Sequence, residues 1–201
     1  MNIIKSQYLY LMILYKCTKL KLFWYEIPKT GCTSLKELFN SHVDLSYTSV
    51  KLKHIHRHRN YFQFAFVRNP WDRLLSCFLD KTKATVGTKW QLRDYVKYKN
   101  YSFNDFVYSI KDDDLNICNR HHRLQYNLIN HDYVNFIGKF ENLQKDFNKI
   151  CKLSNLPKFK LPHFNKTNHR HYTEYYNEET KQIVAEKYAK DIEYFGYEFG
   201  E

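Results

Sequence analysis

Near its start the chain changes from a continuous apolar run to a helical spacing of apolar residues. Residues 22–25, Leu-Phe-Trp-Tyr, form a short apolar run that is typical of a buried strand. Leu35, Leu38 and Phe39 then recur at positions i, i+3 and i+4, which is the spacing of one helix face. The pattern therefore predicts a strand, a tight loop over residues 27–34, and the N-terminus of a helix.

The predicted loop, Ile-Pro-Lys-Thr-Gly-Cys-Thr-Ser, has the residue types of an anion-binding turn. Lys29 supplies a positive charge, Gly31 allows close approach of the backbone, and the N–H groups at a helix start favour a negative ligand. The loop is not a Walker loop, because Lys29 precedes the glycine, and it has no G-x-G-x-x-G fingerprint. Taken alone, it also fits an ordinary strand-to-helix turn with a solvated lysine.

Residues 62–81 repeat the strand–loop–helix pattern. Residues 62–67 are the apolar run, Asn69 is a favourable N-cap, and Pro70 suits the first helical position. The helix that follows has one apolar face, formed by Leu74, Leu75, Phe78 and Leu79. Arg68 therefore falls at the carboxyl end of the second strand.

Arg68 is the second candidate for anion binding, and Ser76, two turns into the helix, can reach the same bound group. Ligands of open α/β sheets bind beyond the carboxyl ends of the strands, so two such loops can hold two anionic groups of one ligand. In a simpler interpretation, Arg68 and Arg73 pair with Asp72 and Asp80 on a solvated face. We favour that interpretation for Arg73 but not for Arg68.

The rest of the chain alternates helical stripes with one more strand. Ser102 and Asp105 predict a capping box, residues 134–137 a strand that ends at Gly138, and Asn177 the cap of a C-terminal helix. The inward-facing positions of these helices are Phe103, Phe106, Val107 and Ile110, then Leu143, Phe147, Ile150 and Cys151, then Ile183, Val184 and Tyr188. The polar stretches 41–60 and 82–101 are predicted connections, the second lying over the active face. The alternation predicts an α/β fold with a central, mainly parallel sheet covered on both faces.

These motifs resemble those of sulfotransferases that use 3′-phosphoadenosine 5′-phosphosulfate. Residues 28–34 are similar to their 5′-phosphosulfate loop, and residues 66–76 to their 3′-phosphate motif. Weaker similarities cover residues 119–125, 136–143, 161–167 and 175–197, and the resemblance spans about residues 22–199. Within that superfamily the chain is most similar to the carbohydrate sulfotransferases of the chondroitin, dermatan and HNK-1 type.

The resemblance implies a single domain over residues 1–201, with a P-loop-like three-layer α/β sandwich. It also implies an enzyme that moves a sulfuryl group from this donor to a hydroxyl of a glycan or a small hydroxyl compound, without a metal. The residues implied to bind the donor are Lys29, Thr30, Gly31, Cys32, Thr33, Ser34, Arg68 and Ser76. Lys29 is the implied catalytic cation at the bridging oxygen.

Two histidines are candidates for the base that deprotonates the acceptor hydroxyl. His122 comes first by its position in the matched segment, although the family usually has Trp there and Pro where this chain has Leu124. His56 comes second, because a histidine upstream of the second strand could also reach the site. Residues 165–167, Asn-Lys-Thr, are expected to close over the nucleotide.

Composition narrows the partners and the compartment. The formal net charge of +11 suits an anionic partner, and 43% apolar residues exclude a disordered chain. Five scattered cysteines without a C-x-x-C motif favour a reducing compartment, so we expect a cytoplasmic protein. Cys32 is expected to act as a small residue through its backbone N–H. Residues 8–15 are apolar but shorter than the roughly 20 residues of a membrane span, which leaves peripheral membrane association as the alternative.

Three other interpretations fit the sequence less well. A P-loop nucleotide kinase would need a lysine after Gly31 and a metal-binding aspartate after the second strand, where Arg68 stands. A basic nucleic-acid-binding protein fits the charge but leaves the contexts of Lys29 and Arg68 unexplained, so no nucleic acid is expected. A metal site on His54, His56 and His58 is disfavoured, because the interleaved arginines would repel a cation.

Overall fold

The computed structural model describes residues 13–42, 56, 58–82, 88–162 and 170–201. The strands and helices are β1 (Leu14–Cys17), β2 (Leu22–Tyr25), α1 (Cys32–His42), β3 (Phe62–Val67), α2 (Pro70–Lys81), α3 (Lys89–Tyr98), α4 (Phe103–Ser109), β4 (Phe136–Lys139), α5 (Leu143–Leu153), α6 (Glu178–Lys187) and α7 (Ala189–Phe195). Short 3₁₀ turns occupy Tyr126–Leu128, Phe140–Asn142 and Tyr172–Tyr175.

The strands form one sheet in the order β1-β2-β3-β4. β2 is parallel to β3 and β3 to β4, whereas β1 pairs antiparallel with β2 at the edge. The prediction of an α/β fold with a mainly parallel sheet flanked by helices is confirmed at this level. The carboxyl ends of β2, β3 and β4 consequently share one edge of the sheet, which is where both candidate loops begin.

The last strand begins two residues later than the sequence predicts. Asn135 makes the ladder-like contacts itself, since its N–H donates to the Gln63 carbonyl at 2.7 Å and its side-chain oxygen accepts the Gln63 N–H at 2.7 Å. Regular pairing then runs from Phe136 opposite Phe64 to Lys139 opposite Val67. The side-chain contact replaces one rung of the ladder, and this moves the start of the strand.

The chain groups into two compact units, Met1–Arg68 with Gln125–Thr167 and Asn69–Leu124 with Asn168–Glu201. The first unit holds the sheet, α1 and α5. The predicted apolar stripes of both helices pack with β2 and β3 in one cluster, whose members include Trp24, Leu35, Leu38, Phe39, Phe64, Phe66, Phe147 and Ile150. Burial of each such side chain contributes about 1.5–3 kcal/mol, so this face holds β2 and β3 in place. The single domain of the resemblance stays a prediction.

The second unit is helical and has its own core. Its cluster joins the stripes of α2, α4 and α6 through Trp71, Leu74, Leu75, Phe78, Phe103, Phe106, Val107, Ile183, Val184 and Tyr188. The predicted caps are confirmed: Asn69 accepts the Trp71 N–H at 3.1 Å, Ser102 forms a capping box with Asp105, and Asn177 caps α6. None of the helices within the described residues is both long and apolar enough to cross a membrane.

Two predictions for this unit are wrong in part. The stretch 82–101 is not simply a connection, because α3 forms within it after Thr88, which caps the Gln91 N–H, and the helix is held by an ion pair of Lys81 with Asp94. The C-terminal helix is divided into α6 and α7 at Tyr188. The buried Tyr188 hydroxyl donates to the His122 carbonyl at 2.5 Å, so a tertiary contact occupies the residue at the break.

Candidate functional site

In the loop after β2, two side chains donate hydrogen bonds to the same carbonyl oxygen. The Thr30 hydroxyl donates to the Ile27 carbonyl at 2.8 Å, and the Cys32 thiol donates to the same oxygen at 2.9 Å. Thr30 is fully buried, and its hydroxyl is used in this contact within the loop. Thr33 is exposed on the first turn of α1, while Ser34 beside it is buried. Two side chains therefore brace the loop, and the helix N-terminus forms its anion-favouring end.

The backbone of this loop is strained at Lys29. Lys29 has φ of +72°, a left-handed conformation that L-residues rarely adopt and that costs roughly 1–3 kcal/mol. Gly31 follows with φ of +84°, and a Cβ at this position would lie 2.8 Å from Cδ2 of Leu143. Glycine is thus required both by its φ and by the packing of the loop against the start of α5.

Arg68 lies beside Lys29 at the carboxyl edge of the sheet. Its Nη1 donates to the Lys29 carbonyl at 3.1 Å, and the guanidinium carbon lies 4.3 Å from the centre of the Phe140 ring. Only 8% of the residue is exposed, so Arg68 does not lie on a solvated face. The structure therefore brings together the two cationic residues that sequence reasoning placed on two different loops.

The environment of Cys32 favours the neutral thiol over the nucleophilic thiolate. Burial, with a smaller contribution from Glu26, raises the pKa of the Cys32 thiol to about 11. The Glu26 carboxylate is itself balanced by the ammonium of Lys36 at 2.5 Å. Cys32 is therefore neutral near pH 7, and the loop carries the positive charge of Lys29 beside a compensated carboxylate.

Ser76 and His122 belong to the second unit. Ser76 is half-buried in α2. His122 is almost fully buried, and its Nε2 lies 3.0 Å from Oδ2 of Asp113. Burial, partly offset by the hydrogen bond to Asp113, lowers the pKa of His122 to about 4, so its imidazole is neutral near pH 7. With Nε2–H donating to the carboxylate, Nδ1 is the basic nitrogen, and it makes no hydrogen bond to the described residues.

The other histidines are placed differently. His56 is exposed in the first unit. His58 packs edge-on against Phe23, with ring centres 5.3 Å apart. His121, beside His122, has its Nδ1 at 2.9 Å from the side-chain oxygen of Asn119. Residues 165–167 and His54 lie outside the described residues.

The interpretation of Arg73 as a solvated surface residue is wrong. Arg73 is 1% exposed, and its Nη1 and Nη2 donate to the carbonyls of Arg123 at 2.8 Å and Arg120 at 3.2 Å. Burial lowers the pKa of its guanidinium. The sequence did contain a sign of this burial. Arg73 shares the i, i+3, i+4, i+7 stripe of α2 with Pro70, Leu74 and Cys77, and all members of the stripe are buried.

Sequence reasoning also missed two residues that contact Arg68. Gln125 is fully buried and forms hydrogen bonds to both the N–H and the carbonyl of Arg68. Phe140 provides the ring under its guanidinium. Both residues stand in segments that carry the family resemblance, but nothing in their local pattern indicates a contact with a residue so distant in sequence.

Comparison with known proteins shows the family of this chain. The model of the family described as "Sulfotransferase family" matches residues 14–198. The chain is 28% identical to carbohydrate sulfotransferase 9 of Homo sapiens over 87% of this chain and 47% of that protein. It is 27% identical to carbohydrate sulfotransferase 14 of Danio rerio, over 65% and 45%, and 24% identical to carbohydrate sulfotransferase 11 of Rattus norvegicus, over 73% and 54%. The chain thus spans about half the length of these curated relatives, and no solved structure matches it.

Proposed function

We propose that this chain, which belongs to the sulfotransferase family, transfers a sulfuryl group from 3′-phosphoadenosine 5′-phosphosulfate to a hydroxyl of a carbohydrate. The observation that carries the proposal is the hydrogen bond from Arg68 to the Lys29 carbonyl, at 3.1 Å. It places two cationic residues from two strand ends at one edge of the sheet. A nucleotide with charged groups at its 3′ and 5′ positions needs such a pair. For the chain as a whole we propose the P-loop-like three-layer sandwich fold.

The residues present fit a nucleotide of this kind. Lys29 and Arg68 are the charged groups, and the N-terminus of α1 adds backbone N–H groups directed at an anion. The nearby carboxylate of Glu26 is paired with the ammonium of Lys36, and this pairing reduces its repulsion of a bound phosphate. We assign the 5′ side of the donor to Lys29 and residues 30–34, and the 3′-phosphate to Arg68 with Ser76.

The donor supplies the sulfuryl group, and the chain supplies charge and a base. In the transfer, a new bond forms between sulfur and the acceptor oxygen while the bond from sulfur to the 5′-phosphate oxygen breaks. Lys29 neutralises the negative charge that develops on the leaving phosphate. His122 takes the acceptor proton at Nδ1, and Asp113 holds the imidazole through Nε2. Near pH 7 this imidazole is neutral, which is the form that accepts a proton, and its lowered pKa makes it a weaker base than a free histidine.

The carbohydrate acceptor is proposed from the names of the relatives and from the charge of the chain. All three relatives above are carbohydrate sulfotransferases by name. A net charge of +11 attracts acidic polymers, so acidic glycans are the first acceptors to test. Small hydroxyl compounds form the second class.

A transfer assay with radiolabelled donor, run against acidic glycans, neutral glycans and small alcohols, tests the proposal. We expect label in at least one glycan, and calorimetric binding of adenosine 3′,5′-bisphosphate in preference to ATP with magnesium. Arg68→Ala should raise the Kd for the bisphosphate at least about tenfold, whereas Arg93→Ala at an exposed position should not. A protein that binds ATP with magnesium and ignores the bisphosphate would overturn the assignment in favour of a kinase.

A further inference from the structure

The side chain of Gln125 takes the place of a strand next to Arg68. Its Oε1 accepts the Arg68 N–H at 2.9 Å, and its Nε2 donates to the Arg68 carbonyl at 2.8 Å. Regular pairing of β3 with β4 ends one residue earlier, at Val67 opposite Lys139. A single amide thus satisfies both backbone groups of Arg68, and it does so where the sheet ladder no longer can.

The side chain of Arg68 is held from two further directions. Phe140 lies under the guanidinium, and the Lys29 carbonyl accepts from Nη1. The Phe140 ring also approaches the loop, since it lies 3.5 Å from the position of a Cβ on Gly31. The contacts form one series from Gln125 through Arg68 to Lys29, with Phe140 beside Arg68 and close to Gly31.

The strained residue at the end of this series needs such support. Lys29 has φ of +72°, and conformations of this kind persist only where surrounding contacts hold them. The hydrogen bond from Arg68 is made to the carbonyl of that same residue. A shift of the Arg68 backbone would therefore change two things together, namely the direction of its guanidinium and the support of the Lys29 loop.

We infer that Gln125 is a positioning residue of the donor site, which sets the shape of that site through the backbone of Arg68. The inference rests on the proposed function, because it takes Lys29 and Arg68 to bind the donor. The amide is chemically specific here, since the Arg68 backbone needs one acceptor and one donor from the same side chain. Leucine offers neither, and a glutamate carboxylate offers only acceptors.

The chain contains a matched control, a second buried glutamine that lies on β3. Gln63 is 1% exposed in β3, accepts the Tyr25 hydroxyl at 2.5 Å and donates to the His58 carbonyl at 3.4 Å. It stands near the start of β3, whereas Arg68 follows the end of that strand. Gln63→Leu therefore removes a buried amide of the same type whose side-chain contacts are with Tyr25 and His58 and not with Arg68.

The test is calorimetric titration of full-length wild type, Gln125→Leu and Gln63→Leu with adenosine 3′,5′-bisphosphate, alongside thermal unfolding. Both variants should have a lower Tm, because each leaves buried polar groups without a partner. Only Gln125→Leu should lose affinity for the bisphosphate, by about tenfold or more. Wild-type affinity in Gln125→Leu, or an equal loss in Gln63→Leu, would overturn the inference and leave the proposed function standing. A wild type that does not bind the bisphosphate would overturn both.

Gln125→Glu gives a second readout, which also decides the matter if Gln125→Leu does not fold. A protonated glutamic acid both donates and accepts, as glutamine does, whereas the carboxylate cannot donate to the Arg68 carbonyl. The affinity of Gln125→Glu relative to wild type should therefore recover as the pH is lowered from about 8 to about 6, since burial favours the protonated acid. A ratio that stays constant over this range would contradict the positioning role.

Discussion

At the scale of single residues, the loop after β2 combines backbone strain with a positive charge. Lys29 is one of three non-glycine residues with positive φ in the described part of the chain, the others being Lys21 and Asn155. A glycine at this position would adopt the same backbone without steric cost, but it would remove the ammonium group. The backbone conformation at this position therefore favours glycine, whereas the proposed catalysis requires the ammonium group of lysine.

Lys29→Gly should raise the free energy of unfolding by about 0.5–1 kcal/mol, because glycine tolerates the positive φ. Sulfuryl transfer should fall about a hundredfold or more, because the charge on the leaving phosphate is no longer neutralised. Lys29→Ala is the control, which loses transfer in the same way but keeps the strain and gains no stability. Chemical denaturation and the transfer assay measure the two effects, and wild-type transfer by Lys29→Gly would refute the role of the ammonium.

His122 predicts a pH dependence of stability. Its pKa of about 4 in the folded protein is below the ordinary value of 6.5, so the unfolded chain binds the extra proton first. The free energy of unfolding should therefore fall as the pH drops from about 6.5 to about 4, by roughly 3 kcal/mol from this residue. His122→Gln should lack this component when the denaturation curves of both proteins are compared at each pH. The same slope in both would show that His122 does not titrate in this way.

At the scale of structural elements, buried arginines hold the segment that carries His122. This segment, residues 114–124, has neither helix nor strand. Arg73 reaches it from α2, and within it Arg123 donates to the Ile117 carbonyl at 2.9 Å and the Cys118 carbonyl at 3.2 Å. The Tyr188 hydroxyl adds a third tie at the His122 carbonyl. Guanidinium groups thus take over the backbone pairing that a regular element would supply.

Arg73→Met should lower the free energy of unfolding by about 2–4 kcal/mol, because two buried carbonyls lose a charged donor. It should also speed amide hydrogen exchange across residues 114–124 more than elsewhere in the second unit. Arg93→Met, a like change at a side chain that is 63% exposed, serves as the control and should leave both measurements near wild type. Amide exchange across residues 114–124 that is as slow in Arg73→Met as in the wild type would contradict the role that we assign to this arginine.

At the scale of the whole molecule, the excess of positive charge bears on the acceptor. Lysine and arginine number 32 against 21 aspartate and glutamate residues. Attraction of this kind is long-ranged and is screened by salt, with a Debye length of about 10 Å at 0.1 M. It therefore affects how an acidic acceptor is captured more than how the donor is held in its loop.

Raising the salt concentration from about 0.05 to about 0.3 M should increase the KM for an acidic glycan several-fold, since screening weakens its attraction to the chain. The KM for a neutral acceptor serves as the control and should change little, so the ratio of the two is the readout. A single-stranded oligonucleotide should bind weakly and should not compete with the bisphosphate. Tight oligonucleotide binding with a steep salt dependence would instead favour a nucleic-acid-binding protein.

Local physics made much of this protein predictable from its sequence. The strand–loop–helix units β2–α1 and β3–α2 were predictable because hydrophobic periodicity depends on residues within a turn or two. The caps at Asn69, Ser102 and Asn177 were predictable because a cap bonds to a backbone group two or three residues away. The positions of Lys29 and Arg68 at strand ends follow from the same local signals.

The way in which these residues are held depends on contacts between residues that are distant in sequence. Arg68 contacts a carbonyl 39 residues away and an amide 57 residues away, and Arg73 contacts a carbonyl 50 residues away. Such partners leave no periodic trace in the sequence, because they are chosen by which loops the sheet and the helix core bring together. Local sequence patterns account for the strands and helices and for the charged residues at their ends. Contacts between distant residues account for the strain at Lys29, the burial of Arg73 and the support of Arg68 by Gln125.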